Sequence, residues 1–206
     1  MCSFLLAPFF FNKIVSQFGP QAVAGYGVAY RIQTMVILPA ISLGAALGIL
    51  LNHNLGAGRN EQIYSIFVKG ILNTLGIYTV ISALVYLFRQ QIASSMIEDT
   101  LIQKYTSGYL EIVGLSYVLF GVILTTIIAL EQINKGVLSL IIHLLYFFIS
   151  ITVSWILTVL FREISYFYWT ISITNVVGGI IGIMFILSLM RKEYRKLGKE
   201  DKQIAG

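Results

Sequence analysis

Five apolar stretches, each long enough to cross a bilayer, take up most of this 206-residue chain. The chain is 57% hydrophobic and 11% charged. A soluble domain averages roughly 45–50% apolar and about 25% charged residues. A water-soluble fold of this size has too little interior to hide so much apolar surface. A bilayer accommodates it when each segment supplies roughly 20 mostly apolar residues in a helix that satisfies its own backbone hydrogen bonds. The stretches lie at about 22–51, 64–88, 109–130, 137–160 and 165–190, with a sixth, partial one at about 2–18. Apolar runs such as Tyr117 to Leu124 and Val176 to Leu187 lack the alternation of barrel strands. The expected fold is an all-α membrane protein, a polytopic transmembrane helical bundle of five full spans plus one truncated N-terminal span.

The opening Met1-Cys2-Ser3-Phe4 carries no basic residue, and Lys13 follows the apolar run, so the basic flank of a secretory signal is missing. This reads as a chain that starts inside a transmembrane helix, the distal portion of a longer protein. A short native first helix is the alternative. Basic residues accumulate on the cytoplasmic side of short loops. Six of the fourteen, Arg191, Lys192, Arg195, Lys196, Lys199 and Lys202, lie at the C-terminus. Counting back through the spans puts Arg59, Lys69 and Lys135 on the same side, and Lys13, Arg89, Lys104 and Arg162 on the other. The expectation is therefore a bundle at 1–190 and a basic cytoplasmic tail at 191–206, in a multi-pass protein of the plasma membrane. The net charge of +5 is topological, with some attraction of the tail to anionic lipid, and gives no support to nucleic-acid binding.

Catalytic and metal chemistry finds little to work with. The single cysteine, Cys2, belongs to no metal-ligand spacing. No Ser/His/acid, Cys/His, di-acid or phosphate-loop arrangement occurs, and His53 and His143 lack assembled partners. Neither an enzyme, nor a bound metal, nor a cofactor is expected.

The span from Ala22 to Leu51 carries the most information. It holds Arg31, Gln33 and Thr34 in its outer half and Pro39 near its middle, where a missing backbone N–H predicts a kink or hinge. Gly44 and Gly48 follow at the spacing that lets a neighbouring helix approach closely. The span ends in Asn54-Leu55-Gly56-Ala57-Gly58-Arg59, where Gly56 and Gly58 permit positive φ at a helix stop and Arg59 sits at headgroup level.

Val23-Ala24-Gly25-Tyr26-Gly27-Val28-Ala29-Tyr30-Arg31-Ile32, then Leu38-Pro39-Ala40, Leu43-Gly44-Ala45-Ala46-Leu47 and Asn54-Leu55-Gly56-Ala57-Gly58-Arg59-Asn60, run without a gap for nearly forty residues. This run resembles the eighth transmembrane helix and following cytoplasmic loop of MATE multidrug and toxic-compound extrusion transporters. The resemblance implies the C-terminal half of a twelve-helix fold made of two pseudo-symmetric bundles. It makes a missing N-terminal bundle and the lipid bilayer the expected partners, small organic compounds the substrates, and Na+ or H+ the coupling ion. Under it, Pro39, Gly56, Gly58 and Arg59 become hinge or gating elements.

Ionisable groups inside spans are costly and count as functional candidates. Arg31 snorkels outward or pairs with Glu111, either as a structural ion pair or as a substrate contact; Glu111 is the only acid in the outer half of a span. Asn175, before Gly178-Gly179 and Gly182, can bridge helices. His143 is read either as an imidazole bonded between helices or as a proton relay. Twelve Tyr and thirteen Phe serve as interface belts and lipid-facing bulk, and some can line a pocket for flat cations.

Some members of the sodium-coupled branch carry acids in helices seven and ten; the comparable stretches here, Phe4-Leu5-Leu6 and Val118-Leu119-Phe120, have none. Three readings follow. The first is a cation-coupled exporter of drugs or other organic, chiefly cationic, compounds working by alternating access. The second is a lipid-linked oligosaccharide flippase. The third is an inactive truncated fragment that needs a partner bundle.

Overall fold

The structure, a computed structural model, describes the backbone of residues 2–205 and the side chains of residues 8–192. The side chains of Cys2, Phe4-Leu5-Leu6 and the basic residues beyond Lys192 lie outside the described ones. The chain is helical nearly throughout: α1 (Cys2–Val15), α2 (Pro20–Gly56), α3 (Asn60–Leu87), α4 (Arg89–Met96), α5 (Thr100–Val113), α6 (Tyr117–Gln132), α7 (Gly136–Phe161) and α8 (Ile164–Ala205). Five spans are long and apolar enough to cross a membrane: α2, α3, the α5–α6 unit (Thr100–Gln132), α7, and Ile164–Lys192 of α8. This is the all-helical membrane fold expected from hydropathy.

Two boundaries differ from the sequence reading. The largest connection between the apolar stretches, about Arg89 to Ser107, reads from sequence as an extracytoplasmic loop with room for a short interfacial helix; it contains α4 and the first turns of α5, leaving only residues 97–99 as connection. Asp99 starts α5 by accepting from the Leu101 and Ile102 amides at 2.8 and 3.1 Å, as an N-cap carboxylate does. Hydropathy misses this helix because Thr100, Gln103, Lys104, Thr106 and Ser107 make it half polar. The third span is also not one rod, since a 3-10 turn at Gly114–Ser116 breaks it between α5 and α6.

Helix α6 is the axis of the bundle, with apolar side chains buried on every side, from Tyr117 and Phe120 to Ala129 and Leu130. Helix α2 packs along it more extensively than any other pair of elements in the fold. The reason is local: a Cβ added at Gly44 would meet Ile128 Cβ at 2.7 Å and the Thr125 carbonyl oxygen at 2.9 Å, and one at Gly48 would collide with the Gln132 side chain. Further along α2, Gly25 lies against Ile102, Tyr105 and Thr106 of α5, and Thr106 Oγ1 donates to the Gly25 carbonyl at 3.1 Å. Close approach of backbones substitutes here for the hydrophobic drive that lipid removes. Helix α8 reaches α6 in the same way, with Gly179 on Leu119 and Gly182 on Ile123.

Pro39 sits inside the unbroken α2. Two cross-helix bonds hold the backbone around it: Tyr78 Oη donates to the Val36 carbonyl at 2.6 Å, and Thr125 Oγ1 to the Ala40 carbonyl at 3.4 Å. Neighbouring helices thus anchor the backbone next to a turn whose own ladder lacks one donor.

The end of α2 is a Schellman stop. The Arg59 amide donates to the Asn54 carbonyl at 2.9 Å and the Gly58 amide to the Leu55 carbonyl at 3.1 Å, with Gly58 at φ 68°. Gly58 is the residue that takes positive φ; Gly56 is still helical, contrary to the expectation for that position. Asn134 at φ 65° closes α6 in the same way, with the Lys135 amide on the Leu130 carbonyl at 3.0 Å.

The Gly44 contact is testable by thermal unfolding in detergent. Gly44→Leu is expected to destabilise the protein by about 1–3 kcal/mol through overpacking. Gly27→Ala, with nothing within 4 Å of the added carbon, is expected to be neutral or mildly stabilising by up to about 1 kcal/mol.

Candidate functional site

Six of the helices converge on an internal cavity of about 60 Å³. Its walls are aromatic: Phe11 from α1, Tyr26 and Tyr30 from α2, Tyr109 from α5, Phe120 from α6, and Tyr146 and Phe147 from α7, with Ile171 of α8 closing one side. Tyr26 and Tyr109 meet edge to face with ring centroids 5.7 Å apart, and Tyr109 and Tyr168 do so at 5.3 Å. Such edge-on contacts lock the rings in place. The remaining polar lining is Gln33, His143 and Ser150. A volume of this size admits a few waters or an ion, well below the roughly 300–1,000 Å³ of a drug pocket.

Two hydrogen-bonded groups organise this region. Tyr109 Oη donates to Gln33 Oε1 at 2.6 Å, joining α5 to α2. Tyr146 Oη donates to Asn175 Oδ1, and Asn175 Nδ2 donates to Ser116 Oγ at 2.7 Å, so one fully buried amide ties α7, α8 and the 3-10 turn together. Ser116 Oγ in turn donates to the Val113 carbonyl at 2.7 Å. The Tyr117 hydroxyl is buried with no hydrogen-bond partner among the described residues.

Of the residues singled out in the sequence, the structure brings Gln33 to the cavity wall and Asn175 to its supporting layer. Thr34 is exposed and donates to its own helix at the Tyr30 carbonyl, 2.8 Å away. Arg31 is exposed and does not pair with Glu111. The partner of Glu111 is Arg89, at 3.7 Å, whose guanidinium also lies 4.6 Å from the Tyr86 ring centroid and donates to the Tyr86 carbonyl. Glu111 is half exposed and lies outside the cavity lining. Pro39 is half-buried in α2, and Gly56, Gly58 and Arg59 lie at its end, exposed to the surroundings.

Sequence reasoning did not single out the tyrosines at 26, 109 and 146. The available signal was their depth: a phenol in the middle of an apolar span needs a partner, and interfacial belts do not supply one there.

The MatE family model matches residues 1–156. The chain belongs to the MatE family. The resemblance carried by residues 23–60 is thereby shown. Among curated relatives, the probable multidrug resistance protein YoeA of Bacillus subtilis is 32% identical over 109 residues, which cover 53% of this chain and 24% of YoeA. The probable multidrug resistance protein NorM of Bacillus subtilis is 23% identical over 185 residues, covering 88% of this chain and 40% of NorM. Structures of a multidrug resistance MATE family transporter of the MOP superfamily match in both its outward-facing and inward-facing conformations. Each gives a TM-score of 0.84 at 22% identity over 96% of this chain, and 44% and 45% of theirs. The MatE chain thus spans less than half the length of the relatives it matches. Family and apolar helices place it among multi-pass membrane proteins.

The buried amide makes a stability prediction. Asn175→Leu strands the Tyr146 hydroxyl and takes a donor from Ser116 Oγ, so about 1–3 kcal/mol of stability should be lost. Thr34→Val on the exposed face should shift the detergent melting temperature little.

Proposed function

We propose that this MatE chain is one bundle of a cation-coupled antiporter that exports drugs or other organic, chiefly cationic, compounds. The aromatic cavity carries the proposal. Phenol and phenyl faces converge with only Gln33, His143, Ser150 and the phenol hydroxyls as polar groups. Such a lining attracts a flat cation through ring quadrupoles and leaves its orientation to a few hydrogen bonds. No lysine or arginine is among the described residues that line it, so the flippase reading, which needs a basic cavity for phosphate, has no support here.

A cavity of about 60 Å³ is too small for such a substrate unless a second bundle completes it. The missing N-terminal bundle is the partner in this reading, and the shared coverage of about 44% with full-length transporters supports it. The match to both the outward- and inward-facing conformations, with TM-score 0.84 each, supports a bundle that moves as one body while access alternates. Helix stops at Gly58 and Asn134 share one face of the bundle with the basic tail. We take that face as cytoplasmic, in the plasma membrane, from the charge bias. The coupling ion is Na+ or H+.

Within this reading Gln33 belongs to the substrate or ion path and Asn175 positions the path's Tyr146. Arg31, Thr34 and Glu111 stand outside it, Glu111 as the partner of Arg89. Pro39, Gly58 and Arg59 hold the length and exit of α2 during rocking, with Gly56 as the last helical turn.

The test is efflux of a fluorescent organic cation from cells expressing the complete open reading frame, with Na+ and pH gradients imposed separately. One gradient should drive dye loss, and Tyr109→Ala or Gln33→Leu should lower the rate by about tenfold or more, equivalent to about 1.4 kcal/mol. Glu111→Gln should leave it within about twofold, as expected for an exposed ion pair. Dye loss that ignores both gradients would refute the antiporter.

A further inference from the structure

Helix α7 is built inside out. The buried positions among its 26 residues are Ser139, Ser150, Ser154 and Thr158, every one a hydroxyl side chain. Its large apolar groups, among them Leu145, Phe148, Trp155 and Leu160, are 56–69% exposed. In a bilayer, lipid takes the apolar face and polar groups turn inward. With His143 and Tyr146, the positions 139, 143, 146, 150, 154 and 158 recur every three or four residues, which is one helix face. At 1.5 Å per residue that line runs roughly 28 Å, close to the thickness of a hydrocarbon core.

The line has distinct parts. At one end Ser139 Oγ donates to Glu131 Oε1 at 2.9 Å. In the middle His143, Tyr146 and Ser150 line the aromatic cavity. Beyond it, Ser154 and Thr158 are 0% and 1% exposed, and neither hydroxyl has a hydrogen-bond partner among the described residues. Close packing explains why a small residue stands at 154, but not why it carries a hydroxyl. Helical Ser and Thr commonly bond back to the carbonyl one turn earlier. Thr126 does so in α6, at 2.8 Å from the Val122 carbonyl. A dry, unpartnered hydroxyl is unfavourable, and with the helices packed as here neither Ser154 nor Thr158 has water-sized space beside it, so water reaches them only when the helices part.

We propose that this face of α7 is a proton route through the bundle, wetted from Thr158 to Ser150 when the packed helices part and relayed by His143 to Glu131. A proton leaves water at the Thr158 end and passes along waters held by Thr158, Ser154 and Ser150. It joins the His143 imidazole, and departs to the Glu131 carboxylate, which restores neutral imidazole. The hydroxyls orient water; His143 and Glu131 are the groups that change charge. Of the helices packed on α7, α6 presents Glu131, the acceptor of Ser139, which lies one turn from His143 on α7. The described parts of α1 and α8 carry no acid; their ionisable side chains are Lys13, and Tyr166, Tyr168, Arg191 and Lys192. Tyr26, Tyr30, Tyr109 and Tyr146 line the cavity together with His143. The proposal rests on the transporter reading only for the use made of the proton.

Two measurements on the full chain test the route without any transport assay. In a Cys2→Ser background, Ser154→Cys and Thr158→Cys are compared with the lipid-facing Ile149→Cys and Ile156→Cys. Membranes open on both faces are treated with a membrane-impermeant methanethiosulfonate, and labelling is followed by mass spectrometry. Only the thiolate reacts and apolar surroundings keep a thiol protonated, so the stripe positions should label at least about tenfold faster. In lipid nanodiscs, ¹⁵N spectra of His53→Gln protein should show His143 titrating within about pH 5–8. Labelling at the stripe no faster than at the lipid face overturns the proposal in favour of a dry packing seam. A labelled stripe beside a His143 that holds one protonation state across that range overturns it as a proton route. Absence of dye efflux would leave both readouts unchanged, so failure of the antiporter reading is separable from failure of this one.

Discussion

The close approach of α2 to α6 is the constraint on which the rest of this bundle depends. In lipid no hydrophobic force brings two apolar helices together, so contact must come from fit. Gly44 and Gly48 supply the fit by letting the backbone of α2 reach Ile128, Thr125 and Gln132. Once α6 is fixed there, its buried circumference seats α3 through Tyr78 on Gly121, and α8 through Gly179 on Leu119. The same helix pair sets the floor of the aromatic cavity, because Gln33 and Ile37 come from α2 and Phe120, Ile123 and Leu124 from α6.

Polar groups in this environment do the work of specification. A buried amide at Asn175 joins three elements, Tyr109 joins α5 to α2, and Tyr78 holds the backbone beside Pro39. Each is a bond that hydrocarbon cannot replace with water, so misregistered helices leave donors and acceptors stranded. Helix α7 takes this to its limit: its fully buried positions are all hydroxyls.

The spans, their number and the family were legible because they depend on single-residue hydropathy and on a long local motif. The close-packing glycines at 44 and 48 were legible for the same reason, since their spacing lies within one helix. What escaped depends on pairs of distant residues. Nothing local marks Glu111 as the partner of Arg89 rather than Arg31, because the choice is made by where α4 leaves α3. Helix α5 escaped because half its residues are polar, although its Asp99 cap is visible in hindsight as a helix start. Gly56 and Gly58 look alike in sequence, and only the register of the Schellman bonds decides that Gly58 takes the left-handed position. The phenols of the cavity were hidden among twelve tyrosines whose depth alone does not say which face they take.

The proposed transport cycle requires this bundle to stay one body while access alternates. Nitroxide pairs on exposed positions at its two ends, Leu50 with Val137 and Leu87 with Phe161, measure that directly by pulsed electron resonance in the complete transporter. Distances within each pair should stay unchanged between ion-loaded and substrate-loaded conditions, while distances to the other bundle shift. A change of several ångströms within either pair would contradict a rigid bundle.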